Sequence, residues 1–288
     1  MAPPDVARAI DAARSIASSL GLRAHDAIVL QRSNKVSLRL RPCDVFARVA
    51  PVAHQHARFE VELAQRLAAT DSPVAALDPR VAPRGYERDG FEVTFWTYYD
   101  TTAVALAPTV YADALARLHA GLRLLDLPTP HMTDRVASAE QIVASPDPAA
   151  QVADADRELV EGTLRRLRRA IRDHGAAEQV LHGEPHPGNV LDTASGPRFI
   201  DLETCCRGPV EFDLAHVPDP VTERYPGVDR ALLTGCRELV LAMVVAWRWE
   251  PGDRLPDGER FGRALVTALR AGPPWPTIGE VHRGLDAP

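Results

Sequence analysis

Leu181-His-Gly-Glu-Pro-His-Pro-Gly-Asn-Val-Leu191, with Phe199-Ile-Asp-Leu-Glu203 close behind it, carries Glu184, Asn189 and Asp201 on one loop and the strand that follows. Two prolines and two glycines make that loop irregular and close-fitting, because Pro fixes φ and Gly tolerates conformations closed to other residues. The polar run Asp192-Thr-Ala-Ser-Gly-Pro197 separates the apolar pairs Val190-Leu191 and Phe199-Ile200, a pattern that predicts a β-hairpin with a longer loop. Such a hairpin sets Asp201 beside the first loop.

The spacing points to phosphoryl transfer. That chemistry needs a group to orient or deprotonate an attacking hydroxyl, and hard oxygen ligands that hold Mg²⁺ against nucleotide phosphates. A protein kinase supplies them as a loop Asp, an Asn five positions later and an Asp on the following hairpin. Here Glu184 and Asn189 are five apart, and Asp201 follows twelve later. The segment resembles the H-G-D-x-H-x-x-N and I-D motifs of the aminoglycoside phosphotransferase family, and Gly208-Pro-Val-Glu-Phe-Asp-Leu-Ala215 is similar to its G-x-P-x-x-D-L-A.

The resemblance implies an α+β, two-lobed protein-kinase-like fold. A small antiparallel-sheet N-lobe is expected over residues 1–100 and a mainly helical C-lobe over 101–288, with the active site in the cleft. It further implies catalytic roles for Glu184, Asn189 and Asp201, with Mg²⁺ on Asn189 and Asp201 and ATP or GTP as phosphoryl donor. The acceptor is then a hydroxyl of a small molecule: an aminoglycoside or nucleoside antibiotic, an amino alcohol or a sugar. His182 and His186 are expected to shape the loop, Asp213 to accept hydrogen bonds from its backbone, and Glu203 to help position it. One departure stands out, since Glu184 occupies the catalytic-base position where the family usually has Asp. The extra methylene shifts the carboxylate by more than ~1 Å on a fixed backbone, so a nucleotide-binding homologue with weakened transfer is the alternative.

Upstream, Val6, Ile10, Ala13, Ile16, Ala17 and Leu20 recur at helical spacing, predicting an amphipathic helix. Three alternating runs, 27–31, 35–41 and 44–50, read as an antiparallel meander. Its first turn, Gln31-Arg-Ser-Asn34, contains no glycine, which excludes a Walker A loop and a kinase G-x-G-x-x-G. Ser33 and Asn34 there are nucleotide-binding candidates by position. On the third run Phe46 and Arg48 share one face and Val45, Ala47 and Val49 the other. Arg48 falls where the family places its phosphate-contacting cation, and Glu60, on a helix predicted over 54–69, matches the carboxylate that pairs with it. Taken alone, an Arg–Glu pair of this kind is ordinarily a surface ion pair. Trp96, Thr97 and Tyr98, at the end of the run Phe91 to Tyr99, are candidates for the adenine-binding connector; core aromatics on a strand are the competing reading.

Further helices are predicted over 108–126, 152–174, 229–249 and 259–270, residues 127–150 carry no clear pattern, and the Pro-rich tail from Gly272 reads as extended. His119 on an apolar face reads as a hydrogen-bonded core histidine. His182, Glu184 and His186 alternate, but Pro185, Pro187 and Gly188 argue against the strand that would align them on a transition metal. With 45% hydrophobic and 25% charged residues and a net charge of −6, the chain has the composition of a globular protein and no basic footprint for nucleic acid. Lys35 is the only lysine among 33 basic residues. No apolar run spans a bilayer, the amino terminus does not read as a signal peptide, and four cysteines without framework spacing suit a reducing cytoplasm.

Overall fold

The computed structural model describes residues 3–33, 35–54, 56–102, 105–147, 152–253, 255 and 257–286. They form two compact units: Met1–Leu106 together with Leu191–Glu203, and Ala107–Val190 together with Thr204–Pro288. The hairpin that follows the catalytic-type loop therefore belongs with the amino-terminal unit.

The first unit holds a five-stranded antiparallel sheet in the order β1-β2-β3-β5-β4. Its strands are β1 (Ala24–Arg32), β2 (Val36–Pro42), β3 (Val45–Pro51), β4 (Tyr86–Arg88) and β5 (Phe91–Thr97). Alternation of side chains divides the sheet into two chemically different faces. Val36, Leu38, Leu40, Val45, Ala47, Val49, Val93 and Phe95 are buried in a core with Val6, Ala9, Ala13 and Ile16 of helix α1 (Pro3–Ser19). The small alanines let α1 lie close on the sheet. The opposite face is polar: Ser37 stands across from Arg48, and Arg48 across from Thr94. Helix α2 (Ala57–Ala68) buries Glu60 together with Val61, Leu63 and Leu67.

The second unit is mostly helical: α3 (Pro108–Arg123), α4 (Met132–Ala144), α5 (Asp154–His174), α6 (Val210–Leu214), α7 (Asp219–Thr222), α8 (Arg230–Arg248), α9 (Gly258–Ala271) and α10 (Ile278–Asp286). Helix α8 supplies much of its core, with Leu232, Leu233, Leu239, Val240, Leu241, Met243 and Val245 all buried. The strand β6 (Gln179–Leu181) leads into the loop, which ends at β7 (Val190–Thr193); β8 (Gly196–Phe199) completes the hairpin. A third short strand, β9 (Cys206–Gly208), pairs with β6.

Two segments differ from expectation. Residues 132–144, inside a stretch without a legible pattern, are helical, because Met132, Val136, Ala139 and Val143 do lie on one face. A capping box starts that helix: His131 accepts from Thr133 N–H and Asp134 accepts from His131 N–H. The tail from Gly272 is not extended throughout, since α10 forms over Ile278–Asp286. There Thr277 N–H and Oγ1 donate to Glu280, and Glu280 N–H donates back to Thr277 Oγ1 at 3.3 Å, which nucleates a helix the prolines seemed to forbid.

Candidate active site

In the amino-terminal unit the polar sheet face gathers a network of charges. Arg48 Nη1 donates to Glu60 Oε1 at 2.6 Å, and its Nη2 lies 2.7 Å from Asp201 Oδ2. Glu60 Oε1 also accepts from Leu202 N–H at 3.2 Å, tying α2 to the end of the hairpin. Burial works against the Arg48 charge, but Glu60 and then Asp201 outweigh it and hold the guanidinium ionised. Asp201 itself sits at φ +64°, a left-handed conformation that costs a non-glycine residue strain and is met at functional sites.

Sequence reasoning left Lys35 out of this group. Its side chain is buried, paired with Glu203 and 3.8 Å from Asp201 Oδ1. The signal was available, because Lys35 lies two residues before Ser37 and so on the face that carries Arg48. Lys35, Arg48, Glu60, Thr94 and Glu203 also line a cavity of about 20 Å³, the volume of a single water site. Arg48 Nε has no hydrogen-bond partner among the described residues.

Of the connector candidates, Trp96 is buried, with Nε1 donating to Thr94 Oγ1 at 2.8 Å. Thr97 N–H is already given to Ala76 O at 2.8 Å. The Tyr98 ring packs under the Arg39 guanidinium at 3.9 Å. Ser33 is exposed, its Oγ accepting from Lys35 N–H at 3.3 Å. Asn34 lies outside the described residues.

In the other unit, Asp213 organises the loop. Its buried carboxylate accepts from His182 N–H at 2.8 Å and Gly183 N–H at 2.7 Å, and lies 2.9 Å from His119 Nε2. His119 Nδ1 in turn meets Tyr225 OH at 2.7 Å, completing a buried chain from α3 to the residues after α7. Burial opposes ionisation of Asp213, yet the hydrogen bond and charge of His119, with His182 and Gly183, hold its carboxyl below the ordinary range. Gly183 is required where it stands: φ is +90°, and a Cβ would lie 2.1 Å from Thr204 O.

The loop then turns on itself. His182 Nδ1 accepts from Glu184 N–H at 3.3 Å, His186 Nδ1 accepts from Gly188 N–H at 3.0 Å, and Asn189 Nδ2 donates to Glu184 O at 3.0 Å. Tyr111 OH donates to Pro185 O. Glu184 is ion-paired to Arg135 of α4. Burial pushes its carboxyl up, but Arg135 first and His216 next bring it below the usual value. His216 is itself buried and, through that burial, only weakly basic, at about 4. No cluster of three or more His, Cys, Asp or Glu suited to a metal occurs among the described residues.

The profile of the phosphotransferase enzyme family, APH, matches residues 29–239, well over half of the chain. The chain belongs to that family. No curated protein sequence matches it. Solved structures of this family's type share its fold. A spectinomycin phosphotransferase in complex with ADP and spectinomycin is 13% identical, at a TM-score of 0.65 over 95% of this chain and 97% of the other. The choline kinase of Streptococcus pneumoniae is 14% identical, at 0.63 over 90% and 98%. The phosphotransferase APH(2")-IIa, in a ternary complex with streptomycin and ATP, is 12% identical, at 0.59 over 88% and 95%. The fold is thus the α+β, protein-kinase-like one, with an antiparallel-sheet amino-terminal lobe and a helical carboxy-terminal part, and membership of the APH family supports a small-molecule phosphotransferase. Among the described residues no helix is long and apolar enough to cross a membrane.

Proposed function

We propose that this APH-family chain is a nucleoside-triphosphate-dependent kinase that phosphorylates a hydroxyl of a small molecule. The observation that carries the reading is Arg48, clasped between buried Glu60 and left-handed Asp201. A cation fixed on two sides by carboxylates is oriented before a phosphate arrives, and preorganised charge is the main protein contribution to phosphoryl transfer.

Asp201 offers carboxylate oxygens, and Asn189 a side-chain carbonyl whose amide nitrogen is already spent on Glu184 O. Those hard donors suit Mg²⁺ better than a softer ion. In this reading Asn189 and Asp201 hold Mg²⁺, with Glu203 beside Asp201 in sequence and tied to Lys35. When bound, Mg²⁺ neutralises charge that develops on the phosphate oxygens. Arg48, held by Glu60 and Asp201, contacts the nucleotide phosphates. Ile28, exposed across from Arg39, and the backbone near Trp96 and Tyr98 receive the nucleobase. Glu184 orients the acceptor hydroxyl and takes its proton as the acceptor oxygen bonds to the γ-phosphorus and the bridging P–O bond breaks, releasing the nucleoside diphosphate. In this proposal the acceptor is a hydroxylated antibiotic or an amino alcohol, a reading supported by the spectinomycin, streptomycin and choline named with similar structures. A cytoplasmic setting belongs to it as well, and the four free cysteines are in keeping with a reducing compartment.

A second reading, nucleotide binding without transfer, draws on one observation: the Glu184 carboxylate is already engaged by Arg135. A panel of acceptor alcohols incubated with Mg-ATP or Mg-GTP separates the two. Acceptor-dependent nucleotide consumption, with the acceptor gaining one phosphoryl group in its mass spectrum, is expected. Tight nucleotide binding with no acceptor modified would leave the second reading standing.

A further inference from the structure

Arg135 enters the catalytic-type loop from the first turn of α4, a helix the sequence pattern did not reveal. Its Nη2 is ion-paired with Glu184 Oε1, and its Nη1 donates to Gly183 O at 3.1 Å. The guanidinium is itself fixed from other sides. It lies 5.2 Å from the Trp247 ring and 5.9 Å from that of Phe212, and it also meets the Cys206 thiol.

The geometry points to Arg135 as a positioning residue: one planar fork that joins the Glu184 carboxylate to the Gly183 carbonyl, so that the loop presents Glu184 in a single orientation. The inference rests on the kinase reading for what Glu184 is presented to. A glutamate on a loop has three side-chain torsions to choose among. Arg135 limits that choice, because two donors of a rigid guanidinium bind the side chain and the backbone of adjacent residues at once. Pairing also removes Glu184 as a free counter-ion for an ammonium group on the acceptor.

Five groups bear on the charge in this corner: Arg135 from α4, His186 from the loop, His216 after α6, Cys206 from β9 and Asp213 from α6. Burial keeps His216 neutral and pushes the Cys206 thiol up to about 12, so neither is ionised near neutral pH. Asp213 is committed to His119 and two backbone amides. Arg135 is therefore the permanent cation beside the Glu184 carboxylate.

The test measures kcat and nucleotide KM on two variants and, in nucleotide-free protein, the ¹⁵N order parameters of the Gly183 and Glu184 amides. Arg135→Lys keeps the charge but loses the fork, and kcat is expected to fall ~10²-fold with nucleotide KM unchanged, as for a reactive group displaced by about 1 Å. In both Arg135→Lys and Arg135→Gln the two loop amides are expected to become less ordered than in the wild type. Loop amides as ordered in the variants as in the wild type, or an Arg135→Lys kcat within about twofold of wild type, overturns the assignment. Should the Gln variant not fold, the charge-conserving Lys variant decides. A wild type that phosphorylates no acceptor sinks the kinase reading instead, while the order parameters still judge the Arg135 fork.

Discussion

Replacing Arg48 by alanine removes a cation that two carboxylates share. The Glu60 side chain is 3% exposed and that of Arg48 14%, so solvent does little to screen this pair, whereas the arm to Asp201, 27% exposed, contributes less. Deleting one partner of a buried pair strands the other charge at a cost of roughly 3–5 kcal/mol. After the change Glu60 keeps only the Leu202 N–H among the partners described for it. Against a typical stability of ~5–15 kcal/mol, that loss is large. Arg48→Met combined with Glu60→Gln removes both charges at similar volume, keeps a side-chain acceptor for Leu202 N–H and should recover most of the stability. Urea midpoints by circular dichroism measure the first effect, and calorimetric titration with Mg-ATP the second. The double variant should be near wild type in stability and defective in nucleotide binding. An Arg48→Ala cost under about 1 kcal/mol, the range of surface pairs, refutes the buried-clasp argument. A double variant that binds nucleotide like the wild type removes Arg48 from the phosphate site.

Lys35→Ala, which leaves the Arg48 clasp intact, should weaken nucleotide binding less than Arg48→Ala does, and the reverse ranking would make Lys35 the principal phosphate contact. If Asp201 is a Mg²⁺ ligand, nucleotide affinity should drop on addition of EDTA in the wild type and be nearly indifferent to EDTA in Asp201→Asn; metal-independent binding in both would exclude the assignment. Glu184→Gln should lower turnover by ~10²–10⁴-fold with Mg-ATP affinity retained, and unchanged turnover on a verified acceptor would take Glu184 out of the mechanism. Asp213, whose carboxyl is held low in the folded protein, contributes stability that is complete above the ordinary carboxylate pKa and is lost as pH falls through the depressed one. Urea midpoints should therefore decline in that acidic window, and less steeply in Asp213→Asn; parallel declines would count against it.

The parts of the molecule legible in the chain are those governed by local chemistry. A two-residue alternation puts Arg48 opposite Val45, Ala47 and Val49 on β3 whatever the strand packs against, and the prolines and glycines of 183–188 forbid a strand there. Helices with wide apolar stripes, α3, α5 and α8 among them, were evident for the same reason, and the spacing of Glu184, Asn189 and Asp201 pointed to the family the chain belongs to. Helix α4 escaped because its narrow stripe of Met132, Val136, Ala139 and Val143 lies in a stretch rich in Pro, Asp and Ser, and α10 because the prolines before it masked a Thr–Glu capping box.

What only the folded chain decides is which charges share a site. Arg135 meets Glu184 across 49 positions and Lys35 meets Glu203 across 168, and neither separation leaves a trace in a local pattern. An arginine on a helix surface and one pinning a loop carboxylate are the same letter in the sequence. Their difference is burial and a partner brought within hydrogen-bonding distance, and only tertiary packing supplies both.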